Sequence, residues 1–315
     1  MSASIPYDPG GILQLVTRSN PPKVDRMRKL FPLLLLLSVW LPGAVAQVAV
    51  EVTLEQEQFL PGETLPVAVR VANRSGQTLH LGAQPDWLTF SVESRDGFIV
   101  RKNGETPVLG EFTLESSQVA TKRADVAPYF TLTRPGRYRL TATTRIKEWD
   151  GQIASPPKTF DIIEGTKVWT QEFGVPATAT TNQPPELRRY TLLHANYLRS
   201  QLRLYFRLTD VAESRVFKVF PLGQVVSFGR PETEVDARSH LHVLHQNGAR
   251  TSIYTVLNPD GEIVIRQTYD YVNVRPHLHL DADGKISVTG AVRRATSSDV
   301  PAGKLSEDEP KPAPR

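Results

Sequence analysis

The feature that most constrains the fold is a short pattern that occurs twice between residues 230 and 290. The first copy reads RPETEVDARSHLHV (230–243), and the second reads RPHLHLDADGKISV (275–288). Five positions match at one offset of 45 residues. A fixed period of about 20–50 residues is typical of a repeated supersecondary unit. The pattern therefore predicts a region built from repeated hairpins.

Alternating apolar residues predict an antiparallel meander through this region. Apolar residues face one another across the last turn only if Leu280 lies opposite Ile286, with Gly284 in the left-handed conformation of a three-residue loop. The same loop length predicts Leu257 opposite Ile263. The predicted strands are 231–235, 240–245, 251–257, 262–268, 275–280 and 285–290.

The repeat predicts a third turn of the same kind in the first copy. Val235 should then lie opposite Leu241, and Glu234 opposite His242. Ser239 stands where the other two turns have glycine, so this turn is expected to be strained or longer.

A secretory signal is predicted at residues 27–46. Met27, Arg28 and Lys29 form a positive segment, the apolar run LFPLLLLLSVW follows at 30–40, and small residues end the segment at Ala46. Cleavage after Ala46 would release the chain to the periplasm or the exterior without stable membrane insertion. Residues 1–26 are interpreted as a non-structural lead, and Met27 as the true start.

Charge and composition exclude some partners. The chain has a net charge of +4 and no cysteine. Residues 1–46 hold five basic and two acidic residues, so the remainder is nearly neutral. A nucleic-acid partner needs a dense basic face and is not expected. The polar, charged tail at 295–315 is predicted to be disordered.

Residues 47–165 are predicted to form a β-sandwich, because short alternating segments are separated by Gly, Pro and Asn. Two segments, FLPGETLPVAVRVANRSG (59–76) and FTLTRPGRYRLTA (130–142), resemble bacterial immunoglobulin-like domains. The resemblance implies that Tyr138 lies on a late strand, where a buried ring needs a partner for its hydroxyl. The segments also resemble a family of bacterial proteinase inhibitors with this sandwich, although no inhibitory loop stands out.

Residues 166–186 are predicted to be a linker, and residues 187–294 a β-meander module. The hairpins of this module resemble the blades of bacterial β-propellers. The chain has room for about two blades, whereas closed propellers have at least four. An open sheet is favoured over a small barrel or a part-propeller, and the fold class is all-β.

The histidines of the repeat are the candidate metal ligands. Each His-Leu-His segment places two imidazoles on one face of a strand, where they could bind zinc or copper. The predicted ligands are His240, His242, His277, His279 and Glu234. The alternative is that leucines face inward and these histidines face solvent, with His245 on the opposite face and no cofactor bound.

No sequence motif identifies a reaction, so the chain is interpreted as an exported, non-catalytic binding or cell-envelope protein. Its partner would be a protein or an envelope polysaccharide. The alternatives are a metal-binding protein or metal-dependent enzyme, and a proteinase-inhibitor-like sandwich. A further hypothesis is a sugar-stacking aromatic face formed by Tyr254, Tyr269, Tyr271 and Trp169.

Overall fold

The computed structural model describes residues 47–175, 186–226, 229–272 and 274–300. These residues form β-sheets in which every strand pair except the parallel pair of β2 and β10 is antiparallel, with two short 3-10 turns at Ala127–Tyr129 and Lys147–Trp149. The all-β prediction is confirmed. None of the described segments contains a helix with the length and apolar character needed to cross a bilayer. The lead, the signal and most of the tail lie outside these ranges.

The N-terminal half forms two main sheets. Sheet 1 has the order β1-β3-β7, and sheet 2 has the order β2-β10-β8-β5 with β9 beside β8. Strands β4 and β6 form a separate pair. The strands are β1 (Val48–Leu54), β2 (Gln58–Phe59), β3 (Pro66–Asn73), β4 (Leu79–Leu81), β5 (Leu88–Ser94), β6 (Phe112–Leu114), β7 (Val119–Asp125), β8 (Gly136–Ile146), β9 (Gly151–Ala154) and β10 (Lys158–Ile162).

A single apolar core fills the space between these sheets. The strict alternation of β1 and β3 places Val50 opposite Val71 and Val52 opposite Val69. Tyr138 is fully buried, and its hydroxyl donates a hydrogen bond to the carbonyl of Arg134. The predicted need for a partner at this hydroxyl is therefore confirmed.

The C-terminal half forms two further sheets and a hairpin. Sheet 3 has the order β11-β12-β13-β14, and sheet 4 has the order β15-β16-β17-β18-β21. Strands β19 and β20 pair only with each other and are called the cover hairpin. The strands are β11 (Thr166–Gly174), β12 (Leu187–Tyr197), β13 (Gln201–Asp210), β14 (Val216–Gln224), β15 (Glu232–Val235), β16 (Leu241–Gln246), β17 (Thr251–Leu257), β18 (Ile263–Tyr271), β19 (His277–Leu280), β20 (Ile286–Thr289) and β21 (Ala291–Arg294).

The central strands of sheets 3 and 4 are buried on both faces. Tyr190 and Phe206 of sheet 3 share one core with Leu241 of sheet 4. On the far side of sheet 4, a second cluster contains Tyr254 and the half-buried Leu278 of the cover hairpin. Strands buried on both faces lose the inward-outward alternation, which accounts for the continuous burial of β16 from residue 241 to 245.

The loop after β2 contacts the far side of sheet 3. Leu60 packs in a cluster with Leu193 and Tyr205, and Arg207 Nη2 donates a hydrogen bond to the carbonyl of Pro61 at 2.9 Å. The described residues from 47 onward form one compact unit. Among them, no sheet takes strands from both sides of residues 163–165. The division into two domains stays a prediction.

A buried carboxyl group holds this loop in place. Glu63 accepts hydrogen bonds from the backbone N–H of Leu60 at 2.8 Å and from Gln56 Nε2 at 2.7 Å. Burial raises the pKa of Glu63 to about 6, although both hydrogen bonds act to lower it. The loop that contacts sheet 3 thus depends on a group that titrates near neutral pH.

Three turns of the C-terminal half share one construction. In each, an Asp or Asn oxygen accepts the N–H four residues later at 2.7–2.8 Å, and the third loop residue has a positive φ. This confirms the predicted registers, including Glu234 opposite His242. The turns begin at Asp236, Asn258 and Asp281, and the positive-φ residues are Ser239, Gly261 and Gly284.

Several predictions for individual segments are wrong. Residues 166–174 of the predicted linker form strand β11, which the sequence hides because its side chains are mostly exposed on a sheet edge. The tail at 295–315 was predicted to be disordered, but Val300 forms an isolated antiparallel β-bridge with Arg266, so the prediction is wrong for the start of the tail. The predicted meander ends at β18, because β19 and β20 leave the sheet.

Alanine at the two turn glycines is expected to separate backbone strain from crowding. Gly284→Ala should lower the free energy of unfolding by about 1 kcal/mol, because φ is +77° and a Cβ there meets nothing within 4 Å. Gly261→Ala should lower the free energy of unfolding by more than Gly284→Ala does, because its Cβ would lie 3.0 Å from Phe206 Cε1. Urea unfolding measures both. Equal losses would contradict the packing of the second turn.

Candidate functional site

The histidines of the first repeat copy lie at the turn between β15 and β16. Alternation along β16 directs Leu241 and Val243 toward sheet 3, and His242 toward the side of the cover hairpin. That side is covered, so His242 is only 7% exposed. The alternative in which these histidines face solvent is therefore wrong for His242, because sheet 4 has no solvated face at this point.

Asp236 is the centre of this cluster. Its Oδ1 accepts the backbone N–H of Arg238 at 2.9 Å and of His240 at 2.8 Å, which closes the turn. Its Oδ2 lies 3.1 Å from His240 Nδ1 and 3.4 Å from His242 Nε2. Burial alone would raise the pKa of Asp236, but the hydrogen bonds from the two imidazoles outweigh it and hold that pKa well below its usual range.

The second nitrogen of His242 is also bonded. His242 Nδ1 lies 2.7 Å from the hydroxyl of Tyr254, which sits diagonally across from it on β17. A carboxylate can only accept, so we assign the proton to Nε2, which donates to Asp236, and the Tyr254 hydroxyl donates to Nδ1. Burial raises the pKa of Tyr254, so this hydroxyl stays protonated.

Each hydrogen bond in this series thus joins one donor to one acceptor. The order Tyr254, His242, Asp236, His240 forms a hydrogen-bonded relay that we call the Asp236 network. A saturated network of this kind fixes a turn and its neighbouring strand inside a low-dielectric layer. In the described residues it contains no serine or threonine nucleophile bonded to an imidazole, so the triad geometry for acyl transfer is not formed there.

The second repeat copy is joined to the first by one carboxylate. Glu232 accepts hydrogen bonds from His277 Nδ1 at 2.7 Å and from the backbone N–H of Leu278 at 2.8 Å. Glu232 and His277 occupy the same position in the two copies of the repeat. The repeat therefore places a Glu and a His where the two hairpins meet, and their contact fastens the cover hairpin to β15.

The predicted metal ligands are only partly brought together. His240 and His242 meet on Asp236, whereas His277 contacts Glu232. Glu234 and His279 are exposed. Within the ranges that the structure covers, no three His, Asp or Glu side chains are arranged to hold a metal ion. Sequence reasoning did not identify Asp236 or Tyr254 as partners, although the spacing of Asp236 and His240 across a three-residue loop was a usable signal.

His245 lies on the opposite face of β16, as predicted. It is 1% exposed, and neither ring nitrogen has a hydrogen-bond partner among the described residues. Burial, together with the nearby charge of Arg266, lowers the pKa of His245 to about 3. His245 is a neutral core residue.

A separate cavity of about 330 Å³ lies at the other end of β16. It lies between the β16–β17 turn and the segment that follows β18. Of the aromatic residues proposed for sugar stacking, Tyr271 lines this cavity, whereas Tyr254 is in the core. The lining residues are Gln246, Ala249, Ser252, Tyr271, Arg275 and Pro276.

Comparisons with known proteins give no family for this all-β chain. No family model matches it, and no curated protein matches it. Among solved structures, the crystal structure of Spo0M, a sporulation control protein from Bacillus subtilis, is similar at 12% identity. The match covers 84% of this chain and 95% of that chain, with a TM-score of 0.28. At this TM-score the likeness carries no argument about fold or function.

Removal of one hydroxyl tests the Asp236 network. Tyr254→Phe leaves Nδ1 of the buried His242 without a donor, so the free energy of unfolding should fall by about 1–3 kcal/mol. Tyr271→Phe is the matched control, because its hydroxyl makes no hydrogen bond within the described ranges, and its effect should stay within about 0.5 kcal/mol. Chemical denaturation compares the two. Equal effects would mean that the His242–Tyr254 bond contributes nothing.

Proposed function

We propose that this chain is an exported, non-catalytic binding protein of the cell envelope, located in the periplasm or outside the cell. The observation that carries the proposal is the cavity beside Tyr271 and Arg275, which combines a concave shape, an aromatic wall and a charged group. The imidazoles and carboxylates at the other end of the same sheet bond to one another and to turns. Their arrangement supports a structural role for the Asp236 network.

We also propose that residues 47–165 form an immunoglobulin-like sandwich. The hydroxyl of Tyr138 bonds to a carbonyl four residues upstream, a contact typical of the tyrosine corner in such domains. For residues 187–294 we propose an open arrangement of blade-like hairpins, supported by the linear strand order of sheets 3 and 4. Export rests on the predicted signal at 27–46, which lies outside the described residues.

The proposed partner is an envelope polysaccharide that enters the cavity. Purified protein should co-sediment with insoluble cell-wall polysaccharide, and Tyr271→Ala should reduce the bound fraction because the aromatic wall is lost. Leu187→Ala, which removes an exposed apolar side chain on β12, is the control for loss of apolar surface elsewhere, and it should bind as the wild type does. Binding unaffected by Tyr271→Ala would contradict the proposed site.

A metal-binding protein or metal-dependent enzyme is the second candidate, with zinc or copper on His240, His242, His277, His279 and Glu234. The contact that favours it is the meeting of His240 and His242 on one carboxylate. A metal there would have to displace the bonds that His242 makes to Asp236 and Tyr254. That cost favours the non-catalytic role.

Metal analysis separates the two candidates. We expect purified protein to contain no stoichiometric zinc or copper by elemental mass spectrometry, and to show the same unfolding midpoint with and without EDTA. The double variant H240A/H242A should lose stability without a change in metal content, because Asp236 loses both imidazole donors. His80→Ala removes an exposed histidine elsewhere as a control. One metal ion per chain that is lost in the double variant would contradict the non-catalytic proposal and support the metal-binding candidate.

The proteinase-inhibitor-like alternative also stays a proposal. The segment between β5 and β6 exposes two large apolar side chains, Ile99 at 95% and Leu109 at 75%. An exposed apolar side chain on a loop fits the specificity pocket of a protease. This loop is the part of the sandwich that would contact such a partner.

A further inference from the structure

The cavity at the end of sheet 4 contains a guanidinium group without a carboxylate partner in the described part of the chain. Arg275 is exposed, and its Nη2 donates a hydrogen bond to Gln246 Oε1 at 2.7 Å. The remaining N–H groups of its fork are available to a ligand. Guanidinium groups bind carboxylates and phosphates through two parallel hydrogen bonds.

The neighbouring residue holds this guanidinium in a fixed position. The side-chain amide of Gln246 donates hydrogen bonds to the carbonyls of Gly248 at 2.8 Å and Ala249 at 3.2 Å. Its oxygen therefore points to Arg275 in a defined direction. A cation positioned before the ligand arrives loses less conformational entropy on binding.

Two hydroxyl groups complete the polar side of the cavity. Ser252 is only 6% exposed, and its hydroxyl has no hydrogen-bond partner among the residues that the structure describes. The same holds for the hydroxyl of Tyr271. Both groups can donate to an anion or accept from a ligand hydroxyl.

The other walls of the cavity are apolar. The ring of Tyr271, the buried Pro276 and the methyl group of Ala249 provide them. A volume of about 330 Å³ lies at the small end of the usual range for ligand sites, about 300–1,000 Å³. The space therefore fits one ring-sized unit, with a flat face against Tyr271 and polar groups toward Arg275 and Ser252.

We infer that this cavity binds a carboxylate-bearing sugar unit, a uronic acid, through Arg275, with Ser252 and Tyr271 bonding to its ring hydroxyls. The guanidinium of Arg275 would bind the carboxylate of the ligand, and the hydroxyls of Ser252 and Tyr271 would bond to the sugar hydroxyls. The ring of Tyr271 would stack on the flat face of the sugar. This inference rests on the proposed role as a binding protein and names the ligand class of the same site. The uronic acid can come as a free monosaccharide or as one unit of an acidic polysaccharide.

Calorimetric titration with galacturonate, galactose and inorganic phosphate tests the inference. Wild-type protein should bind galacturonate at least about tenfold more tightly than galactose, which lacks the carboxylate, and more tightly than phosphate, which lacks the ring. Arg275→Gln should weaken galacturonate binding by about ten- to hundredfold, as expected for a charge-assisted hydrogen-bond pair. Arg275→Lys keeps the charge without the planar fork and should give an intermediate loss.

The control is Arg238→Gln, which removes the same charge from the turn at the opposite end of β16. It should bind galacturonate as the wild type does. Tyr271→Phe and Ser252→Ala are milder changes within the cavity and should each weaken binding by about three- to tenfold, through loss of one neutral hydrogen bond. Thermal unfolding of each variant shows that the fold is kept.

Three other results would contradict the uronic-acid assignment, and one would support it. Equal affinity for galactose and galacturonate, or no effect of Arg275→Gln, would overturn the uronic-acid assignment while co-sedimentation with cell-wall polysaccharide still supports the proposed function. Phosphate binding as tight as galacturonate binding would reduce the site to a simple anion site and also overturn the assignment. Competition between galacturonate and polygalacturonate would place the monomer and the polymer in the same cavity and support it.

Discussion

The burial of both faces of the central strands in sheets 3 and 4 is the constraint on which the rest of the structure depends. A sheet with two apolar faces needs a layer on each side, and each central sheet provides one face to the other. The loop at Leu60 covers the outer face of sheet 3, and the cover hairpin lies over the outer face of sheet 4. The second copy of the repeat is therefore a lid for the sheet that contains the first copy.

Polar groups inside such a stack must be paired, because an unpaired buried donor or acceptor costs about 1–3 kcal/mol. The Asp236 network meets this condition at the turn of β15 and β16, and Glu232 meets it where the hairpins join. His245 is the exception, because neither of its ring nitrogens has a hydrogen-bond partner among the described residues; its pKa of about 3 means that only the neutral ring is buried. His240, His242 and His277, which the sequence suggested as metal ligands, thus form hydrogen bonds to carboxylates of the chain itself.

Local patterns predicted a large part of the fold. The alternation of β1 and β3 and the three turn registers were right, because these depend on neighbours in sequence and on the period of two. Strand β7, VATKRAD, was missed because its inward positions are Ala120, Lys122 and Ala124, which give no apolar alternation. The exposed edge strand β11 was missed for a similar reason.

The site was less predictable than the fold. The cover hairpin changed the surroundings of His242 from solvent to a buried layer, and no local pattern shows which sheet face will be covered. The cavity brings together Gln246 and Arg275, which lie in different segments on either side of β17 and β18. Tyr271 was predicted as a sugar-stacking residue only because it is aromatic, as Tyr254 was. The packing of these segments decides that Tyr271 lines the cavity and that Tyr254 lies in the core.

The two outer layers of the stack respond to protons in opposite directions. Glu63, beside Leu60, has a pKa of about 6 in the folded chain and an ordinary value of 4.5, so the folded state binds more protons between about pH 4.5 and 6. The free energy of unfolding therefore falls as pH rises through this window, by up to about 2 kcal/mol. Asp236 has a depressed pKa, so its contribution is present at neutral pH and is lost only in strong acid. Mild acid thus strengthens the contact of the Leu60 loop with sheet 3 and leaves the repeat hairpin intact, but it weakens the layer around His245, because the folded state resists protonation of this ring.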